Sequence, residues 1–458
     1  MLNLSLFSGK KFGVLGLGKS GLATALALQK NGAHVIAWDD GQEGRKNAEN
    51  QGVIIKPFDA IVLSTLDMLV VSPGVSLTYP KPHAVIALAK ELNIPLTGDL
   101  DLFYKAHQHV NFIGITGTNG KSTTTSLLGH ILKQAQREVT VGGNIGTPVL
   151  ELDSISENGI GVLEVSSYQL DINPQLKFKV AILLNITPDH LDRHGNFENY
   201  VQTKKKIFQH QMSDDFAVIG IDSPSCNVIA RELEEKNKQK IIKIAIERVI
   251  PGAYYTQNGV LFDGTSKQIR TILDLKDLPR LKGQHNWQNA AAAYIACHVL
   301  GISDAQIIDG LRTFPGLVHR QEYVASTNNI QFINDSKATN GEAAAKALVC
   351  FDNIYWILGG LPKQDGLTAT IPYFSKIKHA FLIGKAAPEF AEELKGRVPY
   401  THCEILEKAV LAAYEQAKRD QLPNATILLS PACASWDQYS SFEVRGDAFK
   451  KNVYDLSK

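Results

Sequence analysis

The sequence has little cysteine and almost no net charge, and each shortage excludes a class of protein. Five cysteines occur among 458 residues, and none is spaced as a C-x-x-C pair. This distribution argues against a disulfide framework and a zinc site, and it fits a reducing cytosol. The 47 basic and 46 acidic residues leave a net charge of +1, which gives no electrostatic basis for binding nucleic acid or an anionic membrane.

Long apolar runs are also missing. The longest apolar runs in the sequence, such as Ala290–Leu300, are too short to span a bilayer. The N-terminal residues lack the basic start, long apolar stretch and small-residue cleavage site of a secretory signal peptide. We therefore expect a cytoplasmic protein with neither a membrane nor a nucleic acid as partner. The content of 44% apolar and 20% charged residues is typical of globular proteins, and the length predicts about three domains.

Short apolar runs alternate with longer helical patterns along most of the chain. Such runs predict strands at 12–15, 34–38, 68–71, 112–116, 161–165, 180–184, 330–333, 354–358, 380–383 and 426–429. Several are apolar at successive positions, as expected for parallel strands that are covered on both faces. The alternation predicts an α/β protein of open sheets, in which ligands bind at the carboxyl ends of the strands.

Changes in this pattern mark the expected domain boundaries. Polar residues near 104–111 precede a new strand and a glycine-rich loop, and Phe314-Pro315-Gly316 follows a helix predicted over 284–300. These positions predict domains over 1–107, 108–314 and 315–458. Asn258-Gly259 stands between strand-like residues and predicts a two-residue hairpin. We assign that hairpin to a small β appendage of the middle domain.

A nucleotide phosphate loop is indicated by the segment Gly117-Thr118-Asn119-Gly120-Lys121-Ser122-Thr123. It follows a predicted strand and opens a helical pattern, so backbone N–H groups and the helix N-terminus would face phosphate oxygens. Lys121 would reach the β- and γ-phosphates, and the Ser122 hydroxyl would bind Mg²⁺. The first glycine of GxxxxGK[ST] would fall at Ile115, and Gly114 stands one residue early. A plain strand–turn–helix is the alternative, but Lys-Ser-Thr after the second glycine favours ATP binding.

A second glycine-rich turn lies near the N-terminus. Gly16–Gly21 fits GxGxxG after the strand at 12–15, and Asp39 follows about 20 residues later, where a ribose-binding acid is expected. Taken alone, the pattern predicts a dinucleotide site. A UDP-linked sugar is a second diphosphate ligand that fits, and a turn that only packs a helix against a strand is a third interpretation. The pattern does not distinguish NAD from UDP.

Polar side chains follow the predicted strands of the middle domain. Glu164 stands near the end of one strand, where a carboxylate beside a phosphate loop can hold Mg²⁺. His190 follows the next strand and could bind a second metal or orient a substrate group, although a surface or packing role is about as frequent. Lys204–Lys206 lie on a helix predicted to begin near Asn196, and a lysine triplet is usually a solvated surface.

Together these motifs resemble those of the Mur ligase family. The resemblance covers essentially the whole chain and is carried by GITGTNGKST (114–123), GGNIGTP (142–148), LEVSSYQL (163–170), LNITPDHLDRHG (184–195), GQHNWQNA (283–290), PGLVHRQE (315–322), INDSKATN (333–340), LGG (358–360) and LSPACASWDQYSSFEVRG (429–446). It implies a Rossmann-like first domain for a UDP sugar, a central mononucleotide-binding α/β domain for ATP and a Rossmann-like last domain for an amino acid. The first glycine loop is thereby assigned to UDP rather than NAD.

The resemblance also implies roles for individual residues. The UDP sugar would contact Lys19, Ser20, Asp39, Ser72, Asn144, Gln169 and His190. ATP would contact the loop from Gly117 to Thr123 together with Asn286, Arg320 and Asp335. Catalysis and two Mg²⁺ ions would depend on Lys121, Ser122, Glu164, His190 and Lys204, with Lys204 carbamylated because the family pattern Tyr-x-x-x-Lys fits Tyr200 and Lys204. The amino-acid pocket would contain Thr339, Lys363, Ser435 and Phe442.

The implied activity is ATP-dependent amide formation between D-glutamate and UDP-N-acetylmuramoyl-L-alanine through an acyl phosphate. This reaction belongs to peptidoglycan precursor synthesis, and hence to cell-wall biogenesis, cell shape and cell division. The NDSKATN and SPACASWDQ segments favour D-glutamate, and a related ligase that adds another amino acid is the alternative. We expect small-molecule substrates and a monomer.

Two readily distinguished alternatives come from other classes of protein. An NAD-dependent oxidoreductase would use Gly16–Gly21 but would leave GTNGKST and His190 without a role. A non-catalytic nucleotide switch would bind ATP without substrate-dependent hydrolysis. Two segments also differ from the family pattern: Asp40-Gly41 stands where some members carry Thr-Arg, and Leu-Pro-Lys-Gln-Asp follows Gly360 where Asp-x-Lys-x-x-Asp is usual.

Overall fold

The computed structural model describes residues 2–362 and 366–456. The chain divides into two compact units, the first comprising Met1–Asp277 and Gln284–Phe314 and the second comprising Leu278–Gly283 and Pro315–Lys458. The described residues form three sheets, each built mostly or wholly from parallel strands. This architecture confirms the predicted α/β class.

The first unit begins with a five-stranded sheet in which all strands are parallel. Its strands are β1 (Lys11–Leu15), β2 (His34–Trp38), β3 (Ile54–Ile55), β4 (Met68–Val71) and β5 (Leu96–Thr97), in the order β3-β2-β1-β4-β5. The helices are α1 (Lys19–Lys30), α2 (Gln42–Glu49), α3 (Ala60–Leu63), α4 (Ala84–Glu91) and α5 (Asp99–Ala106). The strand order reverses between β1 and β4, which is where ligands bind in open sheets of this kind.

The first unit continues with a nine-stranded sheet. Its strands are β6 (Asn111–Thr116), β7 (Val139–Gly143), β8 (Ile160–Glu164), β9 (Val180–Leu183), β10 (Phe216–Gly220), β11 (Lys240–Ala245), β12 (Tyr254–Gln257), β13 (Val260–Asp263) and β14 (Arg270–Asp274). Their order is β14-β13-β12-β11-β10-β9-β6-β8-β7. The helices are α6 (Lys121–Gln134), α7 (Ser167–Ile172), α8 (Leu191–His194), α9 (Phe197–Lys205), α10 (Pro224–Lys236), α11 (Gln284–Val299) and α12 (Asp304–Thr313).

The hairpin predicted at Asn258-Gly259 forms between β12 and β13, which pair antiparallel with Gln257 opposite Val260. Both turn residues have positive φ, 51° at Asn258 and 75° at Gly259, as a two-residue turn of this type requires. The appendage is not a separate sheet, because β12 pairs in parallel with β11. The hairpin and β14 therefore extend the central sheet at one edge.

The second unit contains a six-stranded sheet. Its strands are β15 (Glu322–Thr327), β16 (Ile330–Asn334), β17 (Ile354–Gly359), β18 (Ile377–Ile383), β19 (Tyr400–Glu404) and β20 (Ala425–Leu429), in the order β15-β16-β20-β17-β18-β19. Only β15 runs antiparallel to its neighbour. The helices are α13 (Gly341–Leu348), α14 (Ala387–Leu394), α15 (Leu406–Asp420) and α16 (Phe442–Asp455).

Short 3₁₀ helices complete the described secondary structure; they are Ser5–Phe7, Val149–Glu151, Lys206–Phe208, Leu275–Asp277 and Thr368–Lys376. Within residues 2–362 and 366–456, every helix is too short or too polar to cross a bilayer.

Gly114 has a packing role in the core of the first unit. It lies within β6, and the Phe178 ring covers its Cα so closely that an added Cβ would stand 2.6 Å from the ring carbon Cδ1. Ile115, at the position where the phosphate-loop consensus places its first glycine, is fully buried in the same strand. The strand residues before Gly117 therefore build the core, and the loop begins after them.

We expect Gly114→Ala to lower the free energy of unfolding by about 1–3 kcal/mol, because the added methyl group overpacks against Phe178. The loss would appear as a lower midpoint in urea unfolding. The double variant Gly114→Ala/Phe178→Leu provides the control, and its loss should be smaller than the sum of the single losses by about 1 kcal/mol. Strict additivity of the two changes would show that this contact is not the cause.

Candidate active site

The phosphate loop joins the end of β6 to the start of α6. Gly120 is the N-cap of α6 and has φ of +89°, a conformation that side-chain-bearing residues rarely adopt. A Cβ at this position would also collide with the Asn289 amide oxygen. The backbone of the loop is thus held close to α11, with its N–H groups at the helix N-terminus, where a phosphate group is favoured.

Two lysines converge on one carbonyl oxygen of this loop. The Lys121 ammonium donates to Gly117 O at 2.8 Å and to Thr118 O at 3.0 Å. The Lys204 ammonium, which comes from α9, donates to the same Gly117 oxygen at 2.9 Å. The structure therefore places two lysine side chains from different helices beside the loop that would bind the triphosphate.

The lysine triplet is not the solvated surface that a charge run suggests. Lys204 is only 1% exposed, whereas Lys205 forms an ion pair with Glu232 and Lys206 forms one with Asp171. Burial, and then the nearby charge of Lys121, lower the pKa of Lys204 to about 7. The Lys204 ammonium therefore loses its proton more readily than the ammonium of an exposed lysine.

Asn185 holds the phosphate loop from the adjacent strand, a role that the sequence analysis missed. Its side-chain oxygen accepts from the Asn119 N–H at 2.9 Å, and its amide nitrogen donates to Asn119 O at 3.2 Å. The same nitrogen donates to the Gln288 side chain at 3.0 Å. The available signal was position, because a polar residue directly after a buried strand at the carboxyl edge of a sheet often has a function.

Glu164 ends β8 beside the phosphate loop and is 2% exposed. One carboxylate oxygen, Oε1, accepts from the Asn144 amide at 2.9 Å. The other, Oε2, is buried and has no hydrogen-bond partner among the described residues. A buried carboxylate oxygen without a partner is costly, and hard cations such as Mg²⁺ prefer oxygen ligands.

The residues around the loop therefore fit Mg²⁺ bound together with nucleotide. The described part of the chain contains no cluster of three or more His, Cys, Asp or Glu side chains that could hold a metal alone. The oxygen donors available are the Glu164 carboxylate and the Ser122 hydroxyl, and Mg²⁺ at such sites commonly takes its remaining ligands from substrate phosphates and water.

His190 lies at the start of α8 with φ of 53°. Its ring is about half exposed, with 49% of the side chain accessible, and Nδ1 lies 3.2 Å from the Tyr168 hydroxyl. Tyr200 is also near this ring, and the Tyr200 hydroxyl lies 3.2 Å from the Thr118 hydroxyl of the phosphate loop. His190 is thus accessible and close to the loop, but it does not line the cavity described next.

A cavity of about 590 Å³ lies between the five-stranded and nine-stranded parts of the first unit. The residues predicted to bind the UDP sugar that line it are Lys19, Ser20, Asp39, Ser72, Asn144 and Gln169. These side chains come from both parts, and the Lys19 ammonium donates to Gly146 O at 2.9 Å across the boundary. The structure thus brings together every predicted UDP-sugar residue except His190.

Asp39 supports the first glycine loop within this cavity. Its Oδ2 accepts from the Leu17 N–H at 2.5 Å, and its Oδ1 accepts from the Gly41 N–H at 2.7 Å. The neighbouring Asp40, which departs from the family pattern, lies 3.1 Å from the His83 ring nitrogen Nε2. Both Asp40 and His83 line the cavity.

Asp335 is a buried carboxyl group of the second unit and immediately follows β16. It accepts from the Ser430 hydroxyl at 2.8 Å and from the Gln321 N–H at 3.1 Å. Burial raises the pKa of Asp335 to about 7, although these hydrogen bonds and the nearby Arg320 charge oppose the rise. Asp335 and Arg320, two of the residues expected to contact ATP, thus lie near each other. Asn286, the third, belongs to the first unit.

The predicted amino-acid residues lie on separate segments of the second unit. Thr339 precedes α13, Ser435 follows β20 and is 2% exposed, and Phe442 begins α16. Lys363 lies outside the described residues. Arg445 of α16 was not predicted as a functional residue; it is 1% exposed and donates to Ser336 O at 2.9 Å and to Cys433 O at 3.1 Å. Arg445 therefore ties two of these segments together.

Comparison with known families matches three models along the chain. Residues 10–98 match the Mur ligase MurD-like N-terminal domain, residues 115–297 match the Mur ligase middle domain, and residues 319–433 match the glutamate ligase domain of Mur ligases. A UDP-N-acetylmuramoylalanine--D-glutamate ligase of Paramagnetospirillum magneticum is 46% identical over 453 residues, which cover 99% of this chain and 98% of that protein. The chain belongs to the Mur ligase family.

Further relatives of this Mur ligase agree with that assignment. The protein with the same printed name from Rhodospirillum rubrum is 46% identical and aligns over 100% of this chain and 97% of its own length. Among solved structures, MurC from Thermotoga maritima matches with a TM-score of 0.57 and 18% identity, over 98% of this chain and 100% of that one. MurF from Acinetobacter baumannii gives 0.58 and 16%, over 98% and 93%. These low identities support the fold alone.

We expect Asn185→Ala to weaken ATP binding by this Mur ligase about tenfold or more, because each lost hydrogen bond is worth about 1 kcal/mol. Asn185→Asp keeps the acceptor for Asn119 but loses both donors and places a negative charge beside the loop, so it should weaken ATP binding at least as much as Asn185→Ala. A titration with a fluorescent ATP analogue measures both. Gln202→Ala, at an exposed position of α9, is the control, and equal affinities for Asn185→Ala and this control would contradict the role of Asn185.

Proposed function

We propose that this Mur ligase joins D-glutamate to UDP-N-acetylmuramoyl-L-alanine at the expense of ATP. The observation that carries the proposal is the full-length similarity to D-glutamate ligases, at 46% identity over 99% of the chain. The phosphate loop, with Lys121 and Lys204 on one carbonyl and Glu164 nearby, supplies chemistry that fits the first step. A related ligase that adds another amino acid is the second candidate, and it shares this chemistry.

The first step makes an acyl phosphate. An oxygen of the alanine carboxylate forms a bond to the γ-phosphorus of ATP, and the bond between that phosphorus and the β,γ-bridging oxygen breaks to release ADP. Two like unit charges 4 Å apart repel by about 4 kcal/mol at an effective dielectric constant near 20. The Lys121 ammonium offsets this repulsion by its charge and by hydrogen bonds to the phosphate oxygens.

The second step forms the amide. The uncharged amine of D-glutamate attacks the acyl carbon, the carbon–nitrogen bond forms, the carbon–oxygen bond to phosphate breaks, and the amine releases a proton to solvent. No protein nucleophile is needed, because the activated acyl group is on the substrate. We assign the D-glutamate pocket to Thr339, Lys363, Ser435 and Phe442. D-Glutamate brings two carboxylates, which the Lys363 ammonium and the hydroxyl groups of Thr339 and Ser435 suit.

Two Mg²⁺ ions are part of this proposal, and Ser122, Glu164, His190 and a carbamylated Lys204 would hold them. When bound, Mg²⁺ supplies positive charge to the phosphate oxygens. Carbamylation joins the neutral Lys204 amine to carbon dioxide through a new nitrogen–carbon bond and releases a proton, which converts a cation into a carboxylate-like oxygen ligand. The lowered pKa of Lys204, about 7, supports this modification because the amine must be uncharged to react.

The remaining assignments extend the proposal to the whole chain. We assign residues 1–107 to the UDP sugar, 108–314 to ATP and 315–458 to the amino acid. Lys19, Ser20, Asp39, Ser72, Asn144, Gln169 and His190 are assigned to the UDP-sugar substrate. Gly117 to Thr123, with Asn286, Arg320 and Asp335, are assigned to ATP. A monomeric enzyme in the cytoplasm completes the proposal.

Phosphate release with UDP-N-acetylmuramoyl-L-alanine, ATP and a panel of amino acids tests the proposed reaction. We expect release with D-glutamate and at least tenfold less with L-glutamate, L-alanine or a diamino acid, because each mismatch leaves a polar group of the pocket unpaired. Lys121→Ala is the inactive control, since it removes the cation that reaches the phosphates. Release that is equally fast without the UDP-linked substrate, or faster with another amino acid, would contradict the proposal.

We expect Lys204→Ala to lose most ligase activity and to regain part of it when a short carboxylic acid such as acetate or propionate is added. The added acid would replace the missing carbamate oxygens in the space that the shorter side chain leaves. Lys205→Ala is a matched control, because Lys205 is the next residue along the chain and its ammonium pairs with Glu232 on another helix. Full activity of Lys204→Ala without additives would eliminate the carbamate.

A further inference from the structure

Asp99 is a buried carboxyl group in the cavity assigned to the UDP sugar. It begins α5, directly after β5, and lines the cavity together with Lys19 and Gln169. Its side chain is 6% exposed. Neither the phosphate-loop chemistry nor the UDP-sugar residues named so far include it.

The contacts of Asp99 differ from those of Asp101, two residues later on the same helix. Asp101 accepts from the Gln175 N–H at 3.1 Å and from the Thr97 hydroxyl at 3.4 Å, and it does not line the cavity. The side-chain hydrogen bond of Asp99 comes from its own chain neighbour, Leu100 N–H, at 2.9 Å. Asp101 thus connects α5 to other segments, whereas Asp99 makes no such connection within the described residues.

The position of Asp99 is fixed by a short hydrogen-bond chain. The Asn173 side chain accepts from the Asp101 N–H at 2.8 Å and donates to Gln169 O at 2.9 Å. Gln169 is itself held by Ser166, whose hydroxyl donates to the Gln169 side-chain oxygen at 3.0 Å. The N-terminal turn of α5 is therefore held in register with α7, and Asp99 and Gln169 belong to one rigid wall of the cavity.

A carboxylate in this wall is suited to hydrogen-bond donors and not to the diphosphate, whose negative charge it repels. The features that attract phosphate, Lys19 and the glycine loop before α1, are on other segments of the cavity. Burial raises the pKa of Asp99 to about 6, which reflects how little solvent reaches the carboxyl group. A donor on the ligand would replace the hydrogen bonds that water does not supply.

We propose that Asp99 binds the sugar part of the UDP-linked substrate by accepting a hydrogen bond from a sugar hydroxyl or amide N–H. The inference rests on the proposed function and deepens it, because it assigns one wall of the cavity to the sugar. The uncharged, hydroxyl-bearing sugar offers donors that a buried carboxylate can hold without electrostatic repulsion, as does the ribose, for which Asp39 is the expected acid. Asp99 is thereby a binding residue that selects sugar-linked nucleotides over the free nucleotide.

Isothermal titration of the full chain with UDP and with UDP-N-acetylmuramoyl-L-alanine, both without ATP, tests this inference. We expect Asp99→Ala to weaken binding of the sugar-linked nucleotide about tenfold or more, because a hydrogen bond to a charged group is lost. Asp99→Asn, which keeps a neutral acceptor of the same size, should lose less. UDP affinity should stay unchanged in both variants, and Asp101→Asn should lower Tm without changing either affinity.

The possible results separate this inference from the proposed function. Wild-type affinity for the sugar-linked nucleotide in folded Asp99→Asn and Asp99→Ala would overturn the role of Asp99 alone. Equal losses for UDP and for the sugar-linked nucleotide would also overturn it, because a structural role would then explain both. A wild-type chain that does not bind UDP-N-acetylmuramoyl-L-alanine would overturn the proposed function, and this inference with it.

Discussion

Lys121 and Lys204 share the carbonyl oxygen of Gly117, and the chemistry proposed for the first unit depends on this convergence of two lysines at the phosphate loop. Lys121 arrives from the helix that follows the phosphate loop, and Lys204 arrives from a helix more than 80 residues later. The local GTNGKST motif places Lys121, whereas Lys204 could not be placed by its own local sequence, because the loop, β6 and α9 must all be positioned correctly. Burial, and then the charge of Lys121, disfavour the charged form of Lys204 and so lower its pKa.

Much of the fold follows from local patterns. Buried parallel strands produce continuous apolar runs, so β2 and β4 agree with their predicted bounds, and the other predicted strands differ by a few residues at their ends. The Asn258-Gly259 hairpin was also predictable, since its two residues suit a backbone with positive φ. That the hairpin extends the central sheet was not predictable, because strand partners depend on contacts that are distant in sequence.

The candidate site was predictable where a motif fixes the backbone and less so where burial decides the chemistry. The phosphate loop and the first glycine loop stand out as sequence motifs. The charge run at Lys204–Lys206 predicts a solvated surface, and only the resemblance to the family singles out Lys204; its burial shows why the three lysines differ. Asn185 and Arg445 act through hydrogen bonds to backbone atoms of distant segments, which leave no pattern in a single sequence.

The hydrogen bond between Asn144 and Glu164 joins two sites that would otherwise be separate. Asn144 lines the cavity with Lys19 and Gln169, while the Glu164 carboxylate belongs to the neighbourhood of the phosphate loop. A ligand in the cavity that accepts a hydrogen bond from the Asn144 amide would take that hydrogen bond away from the Glu164 carboxylate. By thermodynamic linkage, a second ligand that binds the Glu164 carboxylate must then change the affinity of the first ligand by the same factor by which its own affinity is changed. Nucleotide and sugar can bind in either order, and the two orders pass through half-loaded complexes of different free energy. The hydrogen bond of one amide can create this difference, although the fully loaded enzyme is the same.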